Sequence, residues 1–132
     1  IRLLEGTQQA LMAGIEQAIP GHCVRHISAA VQRVAAALNL GVVREYVGHG
    51  CGKELHEPPE VPNFRTKNKG PRLMAGMVLC IEPMLNLGTH KVVTDKSDGW
   101  TVRTLDGRLS AHFEHMILIT DNKPEILTWP KT

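Results

Sequence analysis

Nothing in the 132 residues approaches an apolar run of membrane-spanning length, and the start shows no basic, apolar, small-residue leader pattern. These residues therefore offer no helical membrane span, and no signal peptide is visible in them. Also missing is a clustered basic stripe. The net charge of +2 is nearly balanced, so no electrostatic footprint for specific nucleic-acid binding is present. The short basic run Lys67, Lys69 and Arg72 is flanked by Pro and Gly and reads as a solvated loop. Cysteine is sparse. Cys23, Cys51 and Cys80 are odd in number and far apart, which fits a reducing, cytoplasmic setting better than a disulfide framework. There is no internal repeat and no low-complexity segment. An initiator Met is lacking too: the chain opens at Ile1 and runs at once into a helical pattern. The expectation is that residues 1–132 form part of one domain of a longer protein.

What is present reads as helices first and strands later. Leu3, Leu4, Leu11, Ile15, Ala18 and Ile19 recur at helical spacing and predict a helix over 2–18, closed by Pro20-Gly21. A second helix is predicted over 26–39, with Ile27, Val31, Val34, Ala35 and Leu38 as its apolar face and Asn39 and Gly41 as its stop. "GVVREYVG" reads as a strand, and 57–75, rich in Pro, Asn, Lys and Gly, as a long loop. "GMVLCIEPMLNLG" is strand-like with a break or bulge at Pro83. "HKVVT", "WTVRTL" and "AHFEHMILIT" follow as strands, separated by the turn signals "DKSDG" and "DGRLS". The fold class is α+β: two helices packed on a largely antiparallel sheet.

Four residues stand out as candidates for a site. His49 lies between glycines at a strand end, and His56 follows it in a loop. Glu82 and Glu114 sit in strand-like apolar runs, where an unpaired charge is costly. Strand alternation puts Glu114 on the face of His112 and Met116, and His115 on the other. Imidazole and carboxylate donors suit a hard or borderline divalent metal. Each Glu taken singly reads more readily as a solvent-facing or salt-bridged residue than as a ligand. His22, His26, His90 and His112 read as surface or helix-terminal histidines, and Cys51 as a small buried thiol.

In order along the chain, "YVGHGCGKELHEPPEVPNF", "LMAGMVLCIEPMLNLG", "DGWTVRTLDGRLSAHFEHMILIT" and "EILT" resemble the C-terminal half of the type I methionine aminopeptidases. The resemblance implies a pita-bread fold, in which paired helices pack outside a curved antiparallel sheet around a dinuclear metal centre. Position by position it implies His49, Glu82 and Glu114 as metal ligands, with Glu114 bridging two ions. It implies that His56 contacts substrate at the scissile bond, that Trp100 lies at the active-site rim, and that Glu82 also carries a proton to the leaving amine. Two divalent ions per complete enzyme (Co, Mn, Fe or Zn) would activate a bridging hydroxide to remove the N-terminal methionine from nascent proteins, in the cytoplasm and close to the ribosome.

Departures from the family pattern are Cys51 for Ile or Val, Leu55 for an aromatic residue, and Pro58 for Glu. The family's two metal-binding aspartates precede the part that this chain resembles. Asp95 and Asp106 share their spacing by coincidence, in turns downstream of Glu82. A chain without that pair is expected to be inert or nearly so by itself, and to need a complementing N-terminal segment or to self-associate. Two alternatives use the same fold: a proline-specific aminopeptidase or prolidase, and a non-catalytic protein-binding module.

Overall fold

The computed structural model describes residues 2–51, 57–88, 92–94, 102–104 and 109–128, with the backbone alone described at 92–94 and 102–104. Helix α1 spans Arg2–Glu16 and α2 spans Val24–Ala37. Leu3, Ala10, Leu11 and Ile15 form the buried stripe of α1, whereas Leu4 faces solvent. Gly14 lets the helices meet closely: a Cβ there would stand 2.8 Å from Val31 Cγ2. Helix α2 starts two residues earlier than its apolar pattern predicts. Its N-cap is Cys23, whose backbone N–H donates to His26 Nδ1 at 3.0 Å, so a histidine closes the first turn. The helix ends as expected, with Asn39 in the left-handed region at φ 57°.

Ten strands follow among the described residues: β1 Gly41–Val42, β2 Gly48–Cys51, β3 Glu57–Val61, β4 Val78–Ile81, β5 Met84–Asn86, β6 Val92–Thr94, β7 Val102–Thr104, β8 Ser110–His112, β9 His115–Leu118 and β10 Glu125–Ile126. They form a five-stranded sheet in the order β10-β9-β4-β2-β3, a three-stranded sheet β1-β5-β8 and the β6-β7 hairpin. Every pairing is antiparallel. Both helices lie against the two larger sheets. Leu11, Ile15 and Ile27 pack with Leu79, Ile81 and Ile117 of the five-stranded sheet. Leu3, Val31 and Ala35 pack with Val42, Leu85 and Ala111 of the three-stranded one.

Three expectations are corrected. The strand predicted over 41–48 exists only at its two ends, β1 and the start of β2, because these belong to different sheets and Arg44–Tyr46 bend between them. The predicted loop over 57–75 opens with β3. Pro58 and Pro59 fit there because β3 is an edge strand, where a missing N–H leaves no ladder partner bereft. The rest of that segment is ordered by α2: the Pro71 and Lys69 carbonyls accept hydrogen bonds from the Val24 and Arg25 N–H groups of its first turn. Finally, "AHFEHMILIT" is two strands, β8 and β9, interrupted at Phe113 and Glu114.

That interruption lies opposite the one at Glu82 and Pro83 between β4 and β5. Pro83 has no N–H to donate, so the ladder breaks there. The Phe113 N–H donates to the Pro83 carbonyl at 3.3 Å and bridges the two gaps. The five- and three-stranded sheets meet along this line.

Candidate metal centre

The glycines around His49 follow from the sheet. Strand β2 lies between β3 and β4. A Cβ on Gly48 would collide with the Cys80 carbonyl oxygen, and one on Gly50 with that of Pro58. His49 is thus a lone side chain between two close backbone approaches. It pairs with Cys80 across the β2–β4 ladder. Leu79 and Ile81 point into the core beneath the helices, so Cys80, which alternates with them, faces the other side. His49 shares that face with Cys80, and Glu82 follows Cys80 by two residues. Met116 pairs with Cys80 from β9, and Glu114 lies two residues before it.

The three expected ligands therefore converge. Donor atoms of His49, Glu82 and Glu114 all lie within 4.8 Å of one another. His49 Nε2 is 3.5 Å from Glu82 Oε2, and both side chains are largely buried, at 13% and 16% exposed. His49 Nδ1 stands 3.1 Å from the Gly50 carbonyl oxygen. A carbonyl only accepts, so Nδ1 carries the hydrogen and Nε2 is the nitrogen turned toward Glu82. Burial, then the hydrogen bond with Glu114 and its charge, pushes the Glu82 carboxyl from the ordinary 4.5 up to about 8. Glu82 thus resists ionisation in the metal-free site, and a divalent cation would supply the opposite charge its carboxylate needs. One nitrogen and two oxygens are a donor set that Zn, Mn, Co and Fe accept.

Sequence reasoning missed two residues here. Asn63 is fully buried, and its side-chain N–H₂ donates to the Glu82 carbonyl at 3.3 Å and to the Tyr46 carbonyl at 3.4 Å. It holds the backbone at the break that presents Glu82. Nothing in "EVPNFR" signals this, because the cue is burial of a polar side chain. Cys80 is the other: its sulfur lies 3.0 Å from Cys51 Sγ. Burial, then the hydrogen bond and charge of Cys51, then the charges of Glu114 and Glu82, push the Cys80 thiol up to about 12. His56, Trp100, Asp95, Asp98 and Asp106 lie outside the described residues. Asp121 is exposed in the bend after β9. Among the described residues no helix is long and apolar enough to cross a membrane.

Residues 1–121 match metallopeptidase family M24. The methionine aminopeptidase of Clostridium acetobutylicum is 49% identical over 127 residues, which are 96% of this chain and 50% of that protein. The crystal structure of methionine aminopeptidase from Rickettsia prowazekii superposes with a TM-score of 0.93 at 42% identity, across 97% of this chain and 52% of the other. The prolidase from Pyrococcus furiosus superposes with a TM-score of 0.69 at 22% identity, across 98% of this chain and 32% of the other, a likeness of fold alone. This chain spans about half the length of the methionine aminopeptidases it matches. The α+β architecture expected from the motifs is the one these peptidases share. With the match running through nearly all of its length, the chain belongs to metallopeptidase family M24.

Proposed function

We propose that this chain is the C-terminal part of the catalytic domain of a methionine aminopeptidase, which hydrolyses the first peptide bond of polypeptides beginning with methionine. The observation that carries this reading is the meeting of His49, Glu82 and Glu114 within 4.8 Å on the face away from the helices. These residues would hold divalent ions, two in the complete enzyme, with Glu114 shared between them. Such ions, when bound, polarise the scissile carbonyl and acidify water.

The chain's own groups do the rest. The Gly50 carbonyl fixes the His49 ring so that Nε2 is the ligand atom. Glu82, presented by the break after β4 where Asn63 holds its backbone carbonyl, is the carboxylate placed to take a proton and return it to the leaving amine. By the motif positions they match, His56 would contact the substrate near the scissile bond and Trp100 would belong to the active-site rim. Nascent polypeptides in the cytoplasm are the substrates this reading implies.

The test compares this chain alone with a protein in which the N-terminal half of a methionine aminopeptidase relative precedes it, each supplied with Mn or Co. Methionine release from Met-Ala-Ser is measured beside cleavage of an Xaa-Pro peptide. The completed protein is expected to cleave Met-Ala-Ser, and this chain alone to do so little or not at all. His56→Ala should abolish turnover and leave metal content intact. Preference for the Xaa-Pro peptide would replace the methionine reading with the prolidase one.

A further inference from the structure

The His49 side of the sheet carries a second set of donors. Cys51 lies two residues after His49 on β2, and Cys80 opposes His49 on β4, so all three share one face. Their donor atoms lie within 4.8 Å of one another. The two sulfurs are 3.0 Å apart, and Cys51 Sγ is 3.7 Å from His49 Nδ1. We propose that Cys51, Cys80 and His49 form a binding site for one thiophilic divalent ion, Zn²⁺ or Cd²⁺, beside the carboxylate trio and sharing His49 with it.

A thiol pair has two obvious uses, and the register decides between them. Cys51 pairs with Val78, not Cys80, so the two cysteines are diagonal across the ladder. Diagonal neighbours in antiparallel strands have Cα atoms about 7–8 Å apart. That is at or beyond the reach of a disulfide, which requires about 4.4–6.8 Å. A metal asks for less. With metal–sulfur bonds of about 2.3 Å and tetrahedral angles, two thiolates stand about 3.7 Å apart. The sulfurs need to part by about 0.7 Å, a displacement that side-chain rotation supplies without moving the strands. Binding releases the two thiol protons to solvent.

His49 joins through Nδ1, the nitrogen that faces Cys51, and its hydrogen bond with the Gly50 carbonyl opens as the ion binds. An ion on Nδ1 leaves Nε2 as the protonated ring nitrogen, which then points an N–H at Glu82. Occupancy of the thiol side thus withdraws His49 from the carboxylate side. The ligand set differs from that of the aminopeptidase reading, so the two stand or fall separately.

The experiment titrates the reduced chain with Cd²⁺ and follows thiolate-to-cadmium charge-transfer absorption, the number of reactive thiols and the ¹¹³Cd resonance. One equivalent is expected to saturate the band, to reduce the three free thiols to one, and to give a resonance of the two-sulfur, nitrogen type. Cys51→Ser should weaken binding by more than about a hundredfold, since loss of an outer-shell partner alone costs about 10–100-fold. Cys80→Ala should do the same, and circular dichroism verifies that each variant is folded. Glu114→Gln should leave the band in place while removing Mn²⁺ binding, which separates this site from the trio. The rival thiol is Cys23, 3.4 Å from His26 Nδ1. A band that survives Cys51→Ser, vanishes with Cys23→Ser, never forms, or shows an all-oxygen resonance overturns the proposal.

Discussion

Replacing Glu82 by Gln should make the metal-free chain more stable at alkaline pH. Glu82 binds its proton more tightly in the folded state, where it titrates near 8, than in the unfolded chain, where 4.5 applies. Between those values the native state holds the extra proton, so stability is fully present below pH 4.5 and is lost as pH rises through 8. At about 1.4 kcal/mol per pH unit, the span caps the loss at about 5 kcal/mol. The side chain is only 16% exposed, which keeps screening low, but its partner Glu114 is open to water, so the effect should fall below that ceiling. Even half of it is a large share of the roughly 5–15 kcal/mol that a domain has in total. The assay is urea denaturation in chelator at intervals from pH 5 to 9, for the wild type and Glu82→Gln. The wild-type curve should decline across this window, and the variant's should lack that decline. A divalent ion, which needs both carboxylates ionised, should restore the wild type most strongly at the alkaline end. Parallel curves for the two proteins would refute the assignment of a buried, proton-holding Glu82.

Three further outcomes follow from the same geometry. His49→Ala should abolish measurable Mn²⁺ or Co²⁺ binding in calorimetry while circular dichroism stays unchanged, because it removes the nitrogen ligand and little packing. Gly50→Ala should cost more than about 2 kcal/mol in denaturant unfolding, since its Cβ meets the Pro58 carbonyl rather than a yielding side chain; a change within about 0.5 kcal/mol would contradict the close strand approach. Asn63→Ala should lower stability by about 1–3 kcal/mol by leaving buried carbonyls unsatisfied, and weaken metal binding by about 10–100-fold through Glu82; unaltered metal affinity would show that Asn63 does not position that residue.

The helices and the ligand trio were legible in the sequence for different reasons. The apolar stripes of α1 and α2 are local and periodic, and the start of α2 was missed by two residues because Cys23 with His26 makes an unfamiliar cap. The trio was read from the order of motifs. Strand alternation alone treated "AHFEHMILIT" as one strand, while the chain there passes between two sheets at Phe113 and Glu114. Alternation still put Glu114 with Met116, since the break does not change the parity along β9. Pro58 and Pro59 read as loop because proline reports a missing donor, and only the strand order reveals that β3 is an edge. The Cys51–Cys80 contact and the role of Asn63 depend on register and burial between segments far apart in sequence, which no local pattern encodes.

The bond from Phe113 to Pro83 joins two interrupted strands, and each interruption carries one acidic residue of the candidate trio. Glu82 and Glu114 therefore stand on opposite sides of a crease between two sheets whose hydrophobic clusters are separate. An ion gripped by both would work as a clasp. It would couple the motions of the two halves of the core, and the Phe113 amide, sitting in the crease, would report that coupling through slowed hydrogen exchange.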